Sequence, residues 1–198
     1  DIGQSAWMRI LSAMNASQYW KKKIPEYEII DFYYNIEDPD QNTRHIRTSR
    51  YLNEKKTLTV EHTEKIKKKS CTFPLEGTPS VATGIRVVFN TESMVSLDEL
   101  PDITSTDLVR IKHRRSFHWS SWRFDMTRVW SGNTYSAAVR KRDEQNNKAS
   151  YEIEIELCDP QTYFAKKFHS DGYIAVSIFL KIIGLLPQNI KICALNVK

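Results

Sequence analysis

The chain has 198 residues, with 29 Lys and Arg against 24 Asp and Glu, a net charge of +5 at pH 7 and 40% hydrophobic residues. These values are typical of a globular protein with one domain and a substantial core, and the basic balance favours an anionic partner. We find no apolar run of about eighteen residues and no apolar N-terminal run, so we expect neither a membrane-spanning helix nor a signal peptide. The three cysteines are scattered, which argues against a zinc site or a disulfide framework and favours a reducing compartment.

The predicted elements begin with a helix. Apolar residues at helical spacing predict an amphipathic helix over residues 4–19. Short runs rich in β-branched and aromatic residues then predict strands at 26–35, 44–52, 56–62, 65–72, 84–91, 108–117, 121–130, 134–141 and 150–158. The apolar segment Tyr173–Ile183, with Gly184 and Pro187 after it, predicts a second helix. The pattern therefore indicates one mainly β domain, built around an antiparallel sheet or barrel with helices at both ends.

The last predicted strand has an unusual alternation, YEIEIEL at 151–157. Alternate side chains of a strand point to opposite faces, so Glu152, Glu154 and Glu156 share one face. Neighbours in such a row are about 6–7 Å apart, and each pair repels by roughly 2–3 kcal/mol at an effective dielectric near 20. A solvated strand face explains one acidic row. The interpretation therefore depends on whether other strands carry opposing charge.

Other strands carry charged rows whose sign differs from strand to strand. The rows that share a face are Arg110, Lys112, Arg114 and Ser116; Arg123, Asp125 and Thr127; Arg86, Val88, Asn90 and Glu92; and Glu26 with Glu28. If these rows face the inside of a barrel, acidic rows lie opposite basic rows. A polyphosphate with a divalent cation fits such an interior, because carboxylates bind the cation while Arg and Lys bind phosphate oxygens.

The sequence contains weaker evidence for other kinds of functional site. The five histidines lack metal-ligand spacing, and we find neither a glycine-rich phosphate loop nor a GxSxG nucleophile motif. The five tryptophans fit core packing better than base stacking. The basic runs at 21–23, 65–69, 112–115 and 140–142 are explained either by a solvated surface or by contact with a nucleic acid.

The order of these motifs resembles a known family. EYE at 26–28 and EIEIE at 152–156 bracket VRIKHRRSFHWSSWRFDMTRV at 109–129. This order is similar to the metal-dependent RNA 5′-triphosphatases of mRNA capping, the triphosphate tunnel metalloenzymes of fungi and large DNA viruses. The resemblance covers roughly residues 24–158. It is strongest to the viral type, as in a mimivirus, where this domain is the N-terminal part of a multifunctional capping enzyme.

The resemblance implies an α+β, mainly β fold, with a closed antiparallel eight-stranded tunnel barrel and flanking helices at both termini. One domain would then span residues 1–198, with a helix at about 4–19, the barrel at about 24–158 and a helical cover at about 159–198. The implied ligands of Mg²⁺ or Mn²⁺ are Glu26, Glu28, Glu152, Glu154 and Glu156. The implied phosphate-binding residues are Arg47, Lys65, Arg86, Lys112 and Arg114. Glu92 and Glu154 would orient the attacking water, and Asp125 and Thr127 complete the implied catalytic set with Arg86, Lys112 and Arg114.

One position departs from the pattern. Many relatives have a basic residue two positions after the second glutamate of the first strand, where this chain has Ile30. The DPD turn and the segment 44–62 also lack a clear counterpart.

The implied activity is hydrolysis of the γ-phosphate of triphosphate-ended RNA, and also of NTPs, by in-line attack of water. Guanylyltransferase and methyltransferase domains of the same polypeptide would be partners, no membrane partner is expected, and the location would be a cytoplasmic viral factory or the virion. Two alternatives stay open: another tunnel phosphohydrolase acting on thiamine triphosphate or polyphosphate, and a basic RNA-binding domain without catalysis.

Overall fold

The structure, a computed structural model, describes residues 3–37, 43–52, 57–76, 84–96, 106–144 and 149–158 and a few positions between 177 and 192. The elements are α1 Gln4–Ala16, β1 Lys22–Glu37, β2 Thr43–Leu52, β3 Leu58–Glu76, β4 Gly84–Met94, β5 Leu108–Trp119, β6 Trp122–Gly132, α2 Tyr135–Asp143, β7 Ser150–Leu157 and β8 Lys191–Ile192. No helix within these ranges is long and apolar enough to cross a membrane.

The strands form one antiparallel sheet in the order β4-β3-β2-β1-β5-β6-β7, and the short β8 pairs with the end of β3. Among the described residues the sheet is an open, curled half-barrel, so the prediction of a closed eight-stranded barrel is wrong there. Closure requires the two outermost strands of the sheet to be joined by a ladder of hydrogen bonds. Instead, the eighth strand has two residues and pairs outside the main path, with Leu75 and Glu76.

The curl of the sheet brings distant strands together. β3 and β7 are separated by five inter-strand steps, which in a flat sheet is about 24 Å. Nevertheless, the charge of Lys65 on β3 helps to lower the pKa of Glu154 on β7. The face that carries these two side chains is therefore the concave face of the half-barrel.

The opposite, outer face carries two apolar clusters that pack against the helices. Trp7, Ile10 and Met14 of α1 pack on a cluster that includes Phe117 and Phe124 of the sheet. A second cluster, formed by Val109, Ile111, Trp130 and Ala138, lies under α2. Since burial of apolar surface is the main favourable term in folding, these two clusters fix which face of the sheet is outside.

Three predicted strands differ from the structure. The predicted strands at 56–62 and 65–72 are parts of the single long β3, and the predicted strand at 134–141 is the helix α2. Local capping favours the helix, because the hydroxyl of Thr134 accepts a hydrogen bond from the Ala137 amide at 3.2 Å. Its last turn carries Arg140, Lys141 and Arg142, which complement the helix dipole.

Gly132 allows α2 to lie close to β6. A Cβ atom at this position would be 2.7 Å from the backbone nitrogen of Ala138. The close approach explains a glycine at the end of a strand. Most of the predicted C-terminal helix Tyr173–Ile183 lies outside the described residues; within it, 177, 180 and 181 are helical.

Candidate active site

The concave face is organised by the register of β5, β6 and β7. Residues that are cross-strand partners share a face of the sheet. Three such rows follow one another: Arg114, Thr127 and Glu152; Ser116, Asp125 and Glu154; and His118, Arg123 and Glu156. The alternation predicted for these strands is therefore confirmed, and it places polar side chains of three strands on one concave surface.

Each glutamate of β7 is paired with an arginine of β5 or β6. The Nη2 atoms of Arg110, Arg114 and Arg123 lie 2.5, 2.6 and 2.5 Å from carboxylate oxygens of Glu152, Glu154 and Glu156, respectively. This pairing compensates the mutual repulsion of the acidic row. Arg110 and Arg123 lay on charged rows in the sequence, but their role as partners of the β7 glutamates becomes evident from the register.

Arg114 and Asp125 form the centre of this network. Arg114 lies 3.0 Å from Oδ2 of Asp125, and its Nε donates to Oγ1 of Thr127 at 3.3 Å. Asp125 also accepts from Ser116 at 2.6 Å and from Arg123 at 3.0 Å. Burial disfavours the charged guanidinium, but Glu154 and Asp125 outweigh that effect and raise the pKa of Arg114. A guanidinium is thus held permanently charged and in a fixed position.

A second anchored cation lies one row away. Nζ of Lys112 lies 2.5 Å from Oδ2 of Asp31, and the two residues are 5% and 2% exposed. Asp31 also accepts hydrogen bonds from Ser49 at 2.7 Å and from Tyr33 at 3.2 Å. Burial disfavours ionisation of Asp31, but the Lys112 charge and the hydrogen bonds from Lys112 and Ser49 outweigh it and lower the pKa of Asp31. Asp31 was not among the site residues expected from the sequence, although strand alternation puts it opposite Glu26 and Glu28.

The far side of the concave face carries Glu92 on β4. One oxygen of Glu92 lies 3.2 Å from Arg47 and the other lies 3.1 Å from Lys65. Burial opposes ionisation of Glu92, and the charges of Arg47 and Lys65 outweigh it and lower its pKa. The structure therefore brings together the expected residues Arg47, Lys65 and Glu92. Arg86 lies on the same face of β4 as Glu92, six residues away along the strand, and is exposed.

Glu26 and Glu28 lie on the other face of the sheet. Glu28 is the cross-strand partner of His113, whereas the concave residue Arg114 is paired with Tyr27. Glu26 binds Arg128 at 2.7 Å. The predicted set of five metal-binding glutamates is therefore divided between the two faces of the sheet.

Two features of β1 explain this division. Its pairing with β5 has a register shift between Ile24 and Tyr27, which changes the face that each residue occupies beyond the shift. Ile30 and Phe32, which share a face with Glu28, pack against the apolar cluster under α2. Burial of these two side chains fixes the register of β1, so the other residues of their row, including Glu28, also lie on the outer face. Glu28 there lies 3.1 Å from both His113 and Arg142.

Comparison with known proteins identifies the family. The model of the mRNA triphosphatase family, described as mRNA capping enzyme, beta chain, matches residues 6–191. The chain belongs to this family. Among curated proteins, no significant sequence match was found.

Solved structures show the same fold. The Pct1 RNA triphosphatase of S. pombe, in a complex with the Spt5 CTD, matches with a TM-score of 0.62 and 17% identity over 96% of this chain and 70% of that chain. A second structure of S. pombe Pct1 matches with a TM-score of 0.58 and 15% identity over 95% of this chain and 70% of that chain. At these identities the likeness concerns the fold.

The carboxylates of the concave face fit a hydrated divalent cation better than a cage of protein ligands. Within the described residues, no three Asp, Glu, His or Cys side chains converge closely enough to enclose a metal ion. Glu152, Glu154 and Glu156 each give one oxygen to an arginine, and the side chain of Glu154 is 47% exposed. Mg²⁺ keeps several waters and is usually bound by one or two carboxylates together with substrate phosphates. A cation shared with a phosphate substrate is therefore compatible with this donor set.

Proposed function

We propose that this member of the capping-enzyme family is an RNA 5′-triphosphatase that hydrolyses the γ-phosphate of triphosphate-ended RNA, the first step of cap formation. The observation that carries the proposal is the concave row in which three glutamates of β7 each meet an arginine. A triphosphate bound with a cation requires both signs of charge on one surface, because the cation needs carboxylates and the phosphates need guanidinium groups. The family match over residues 6–191 supports the same substrate class.

The basic side chains of the concave face bind the triphosphate. Arg114 and Lys112 are fixed by the buried carboxylates Asp125 and Asp31, so little side-chain entropy is lost when phosphate arrives. Arg110 and Arg123 extend the same basic row. Arg47, Lys65 and Arg86 approach the substrate from β2, β3 and β4, and Thr127 holds Arg114 in place. Most of the catalytic effect then comes from positioning and charge stabilisation, as in other phosphoryl transfers.

Mg²⁺ or Mn²⁺ is the proposed cofactor, and Glu154 with Glu152 or Glu156 would hold it. When bound, the cation neutralises phosphate charge and polarises the phosphoryl oxygens. Glu26 and Glu28 are not assigned to this site, because they lie on the outer face with Arg128, His113 and Arg142.

Two carboxylates are candidates to orient the attacking water. The pKa values of Glu92 and Glu154 are both lowered by neighbouring cations, against the effect of burial. Both groups are therefore ionised at neutral pH and accept hydrogen bonds from water. A carboxylate of low pKa is a weak base, so we assign these residues to orientation of the water molecule and not to early removal of its proton.

The test is release of labelled γ-phosphate from triphosphate-ended RNA with Mg²⁺, with Mn²⁺ and with chelator. We expect metal-dependent release that falls by at least about a hundredfold, the scale of lost charge stabilisation in a transition state, in Glu154→Ala and Arg114→Ala. Glu26→Ala is the matched control. It is the same substitution, made at a glutamate of the outer face, and this variant should retain activity. Loss of release in Glu26→Ala with an unchanged melting temperature would contradict the assignment.

The same assay separates the alternatives. Faster release from thiamine triphosphate or polyphosphate than from RNA would favour a different tunnel phosphohydrolase. Absence of release with every metal, combined with RNA binding, would favour a basic RNA-binding domain.

We further propose that NTPs are hydrolysed at the same site. We also propose a viral capping enzyme, with guanylyltransferase and methyltransferase domains on the same polypeptide, in the viral factory or virion.

A further inference from the structure

Three neighbouring positions on the concave face carry aromatic or apolar side chains that the proposed hydrolysis does not use. Tyr27 on β1 is the cross-strand partner of Arg114, and Ile29, two residues further along, is the partner of Lys112. Tyr51 on β2 is in turn the partner of Ile29. Cross-strand partners share a face of the sheet, so all three side chains lie beside the cations that we assign to the triphosphate. We call Tyr27, Ile29 and Tyr51 the tyrosine patch.

Electrostatic effects agree with this register and place the patch close to Arg114. Burial disfavours the charged form of Arg114, and two carboxylates, followed by Tyr27, outweigh burial and raise its pKa. The pKa of Tyr51 is raised to about 12, mainly by a hydrogen bond to Glu61 and in smaller part by Tyr27. Tyr27 therefore lies near both the Arg114 guanidinium and the Tyr51 side chain.

Both rings of the patch are accessible, and one is anchored. Tyr27 and Tyr51 are half-buried, and neither belongs to the apolar clusters that pack against α1 and α2. By contrast, Tyr151 packs against Trp7 in the core and is 5% exposed. The hydroxyl of Tyr51 donates a hydrogen bond to Oε1 of Glu61 at 2.6 Å. A ring held in this way loses little side-chain entropy when a ligand packs against it.

The arrangement combines the two kinds of contact that a nucleoside triphosphate needs. Arg114 and Lys112 offer charge to its phosphates, whereas the patch offers flat aromatic surface beside them. Ligand sites commonly have this composition, with aromatic and apolar walls and a few charged groups that fix the orientation. An inorganic phosphate gains nothing from a tyrosine ring, but a base stacks on it, because every base has a π face. The patch therefore favours a ligand with a base next to its phosphates.

We propose that the tyrosine patch binds the first nucleoside of the substrate, with its base stacked on Tyr27 or Tyr51 while its phosphates contact Arg114 and Lys112. This proposal rests on the proposed function and deepens it, because the bound nucleoside fixes the position of the triphosphate along the concave face. The patch also gives the site a preference for nucleoside triphosphates over inorganic tripolyphosphate. Stacking tolerates any base, so we expect no strong preference among the four bases.

The experiment titrates ATP and inorganic tripolyphosphate into the protein by calorimetry. Chelator is present to prevent metal-dependent hydrolysis, and the salt concentration is low, so that the phosphate contacts are not screened. The two ligands share a chain of three phosphates and differ in the nucleoside. We expect Tyr27→Ala and Tyr51→Ala each to raise Kd for ATP by about fivefold or more, the equivalent of losing one stacked base. Kd for tripolyphosphate should stay unchanged.

Two control variants separate stacking from a structural role. Tyr34→Ala is the same substitution at a half-buried tyrosine of β1 on the outer face, where its cross-strand partner is Ile46. It should bind ATP like the unmodified protein. Tyr27→Phe keeps the aromatic ring and should recover most of the ATP affinity that Tyr27→Ala loses. The melting temperature shows whether each variant is folded, and if Tyr51→Ala is not, the two Tyr27 variants decide.

Hydrolysis provides a second readout. Tyr27→Ala should raise KM for ATP and for triphosphate-ended RNA with little change in kcat, and leave KM for tripolyphosphate as it is. If Tyr27 only supported Arg114, kcat would fall with all three substrates, because Arg114 is assigned to the phosphates. The split between KM and kcat therefore distinguishes a nucleoside contact from a structural one.

The outcomes distinguish this proposal from the proposed function. Absence of ATP binding, equal Kd values for ATP and tripolyphosphate in the unmodified protein, or parallel losses for both ligands in Tyr27→Ala would each overturn the nucleoside site. An equal loss of ATP affinity in Tyr34→Ala would do the same. Selective loss of ATP affinity in Tyr27→Ala, without hydrolysis of any triphosphate, would support the nucleoside site and overturn the proposed function. Metal-dependent hydrolysis of ATP with identical kinetics in Tyr27→Ala would overturn the nucleoside site and leave the proposed function in place.

Discussion

Breaking the buried pair of Lys112 and Asp31 should strongly destabilise the protein. At 2.5 Å the attraction between the two charges is about 7 kcal/mol at an effective dielectric near 20, before desolvation is subtracted. Removal of one partner from such a pair costs about 3–5 kcal/mol, because the other charge stays buried without compensation. We therefore expect Asp31→Ala to lower the free energy of unfolding by about 3–5 kcal/mol. For a chain of this size the melting temperature should fall by about 6–20 °C.

The assay is urea unfolding followed by tryptophan fluorescence, with midpoints compared at equal m-value. The double variant Asp31→Ala with Lys112→Met is the key control, since it removes both charges and replaces the lysine by an apolar side chain of similar length. It should lose less stability than the sum of the two single variants. A cost below about 1 kcal/mol for Asp31→Ala, or strict additivity in the double variant, would refute the reasoning.

The difference in stability between the unmodified protein and Asp31→Ala should depend on pH with a definite sign. The folded-state pKa of Asp31 is lowered from its ordinary value of 3.8. A lowered carboxyl pKa contributes stability that is fully present above the unfolded-state pKa and is lost as the pH falls through the folded-state value. The difference in stability between the unmodified protein and Asp31→Ala should therefore be constant near neutral pH and shrink below about pH 4. A difference that grows on acidification would contradict the assignment of Lys112 as the partner.

Three further predictions concern the elements around the site. Gly132→Ala should cost about 1–3 kcal/mol in unfolding experiments, because the new Cβ would lie 2.7 Å from the nitrogen of Ala138; a neutral effect would show that α2 can move away. Thr134→Ala should cost about 1 kcal/mol and Thr134→Ser very little, since serine keeps the capping hydroxyl; equal losses would exclude a capping role. The hydrogen bond from Tyr51 to Glu61 raises the pKa of Tyr51 to about 12, and this preference for the neutral phenol stabilises the fold below pH 10 and is lost as the pH rises towards 12. The unmodified protein should therefore be more stable than Tyr51→Phe below pH 10, and this difference in the free energy of unfolding should decrease as the pH rises towards 12. A difference that stays constant at high pH would contradict this prediction.

The strand alternation of β5 and β6 could be predicted from the sequence, and the reason is physical. A buried apolar row on one face fixes the register, so Val109 and Ile111 determine where Lys112 and Arg114 must point. The same principle applied to β1 would have turned Glu28 outward, because Ile30 and Phe32 belong to its row. The resemblance of EYE to a metal-binding motif favoured the opposite assignment.

Other features depend on distances that a sequence does not contain. Asp31 and Lys112 are 81 positions apart in the numbering and meet through the β1–β5 pairing. The segment of α2 was predicted as a strand because it contains β-branched and aromatic residues, whereas the cap at Thr134 and the close contact of α2 with Gly132 favour the helix. The open sheet could not be predicted from the motifs either. The motifs indicate the order of the strands along the chain, but not whether the two outermost strands of the sheet are hydrogen-bonded to each other.

The glutamate row of β7 has a consequence for the solution behaviour of the protein. Within the described part of the chain, β7 is an edge strand that pairs with β6 on one side, and exposed edges tend to recruit strands from other molecules. Two copies of β7 placed side by side would bring the carboxylates of Glu152, Glu154 and Glu156 against one another, and like charges in such positions are destabilising. The acidic row therefore also discourages aggregation through this edge. Neutralising all three residues should make the chain associate with itself even where it still folds.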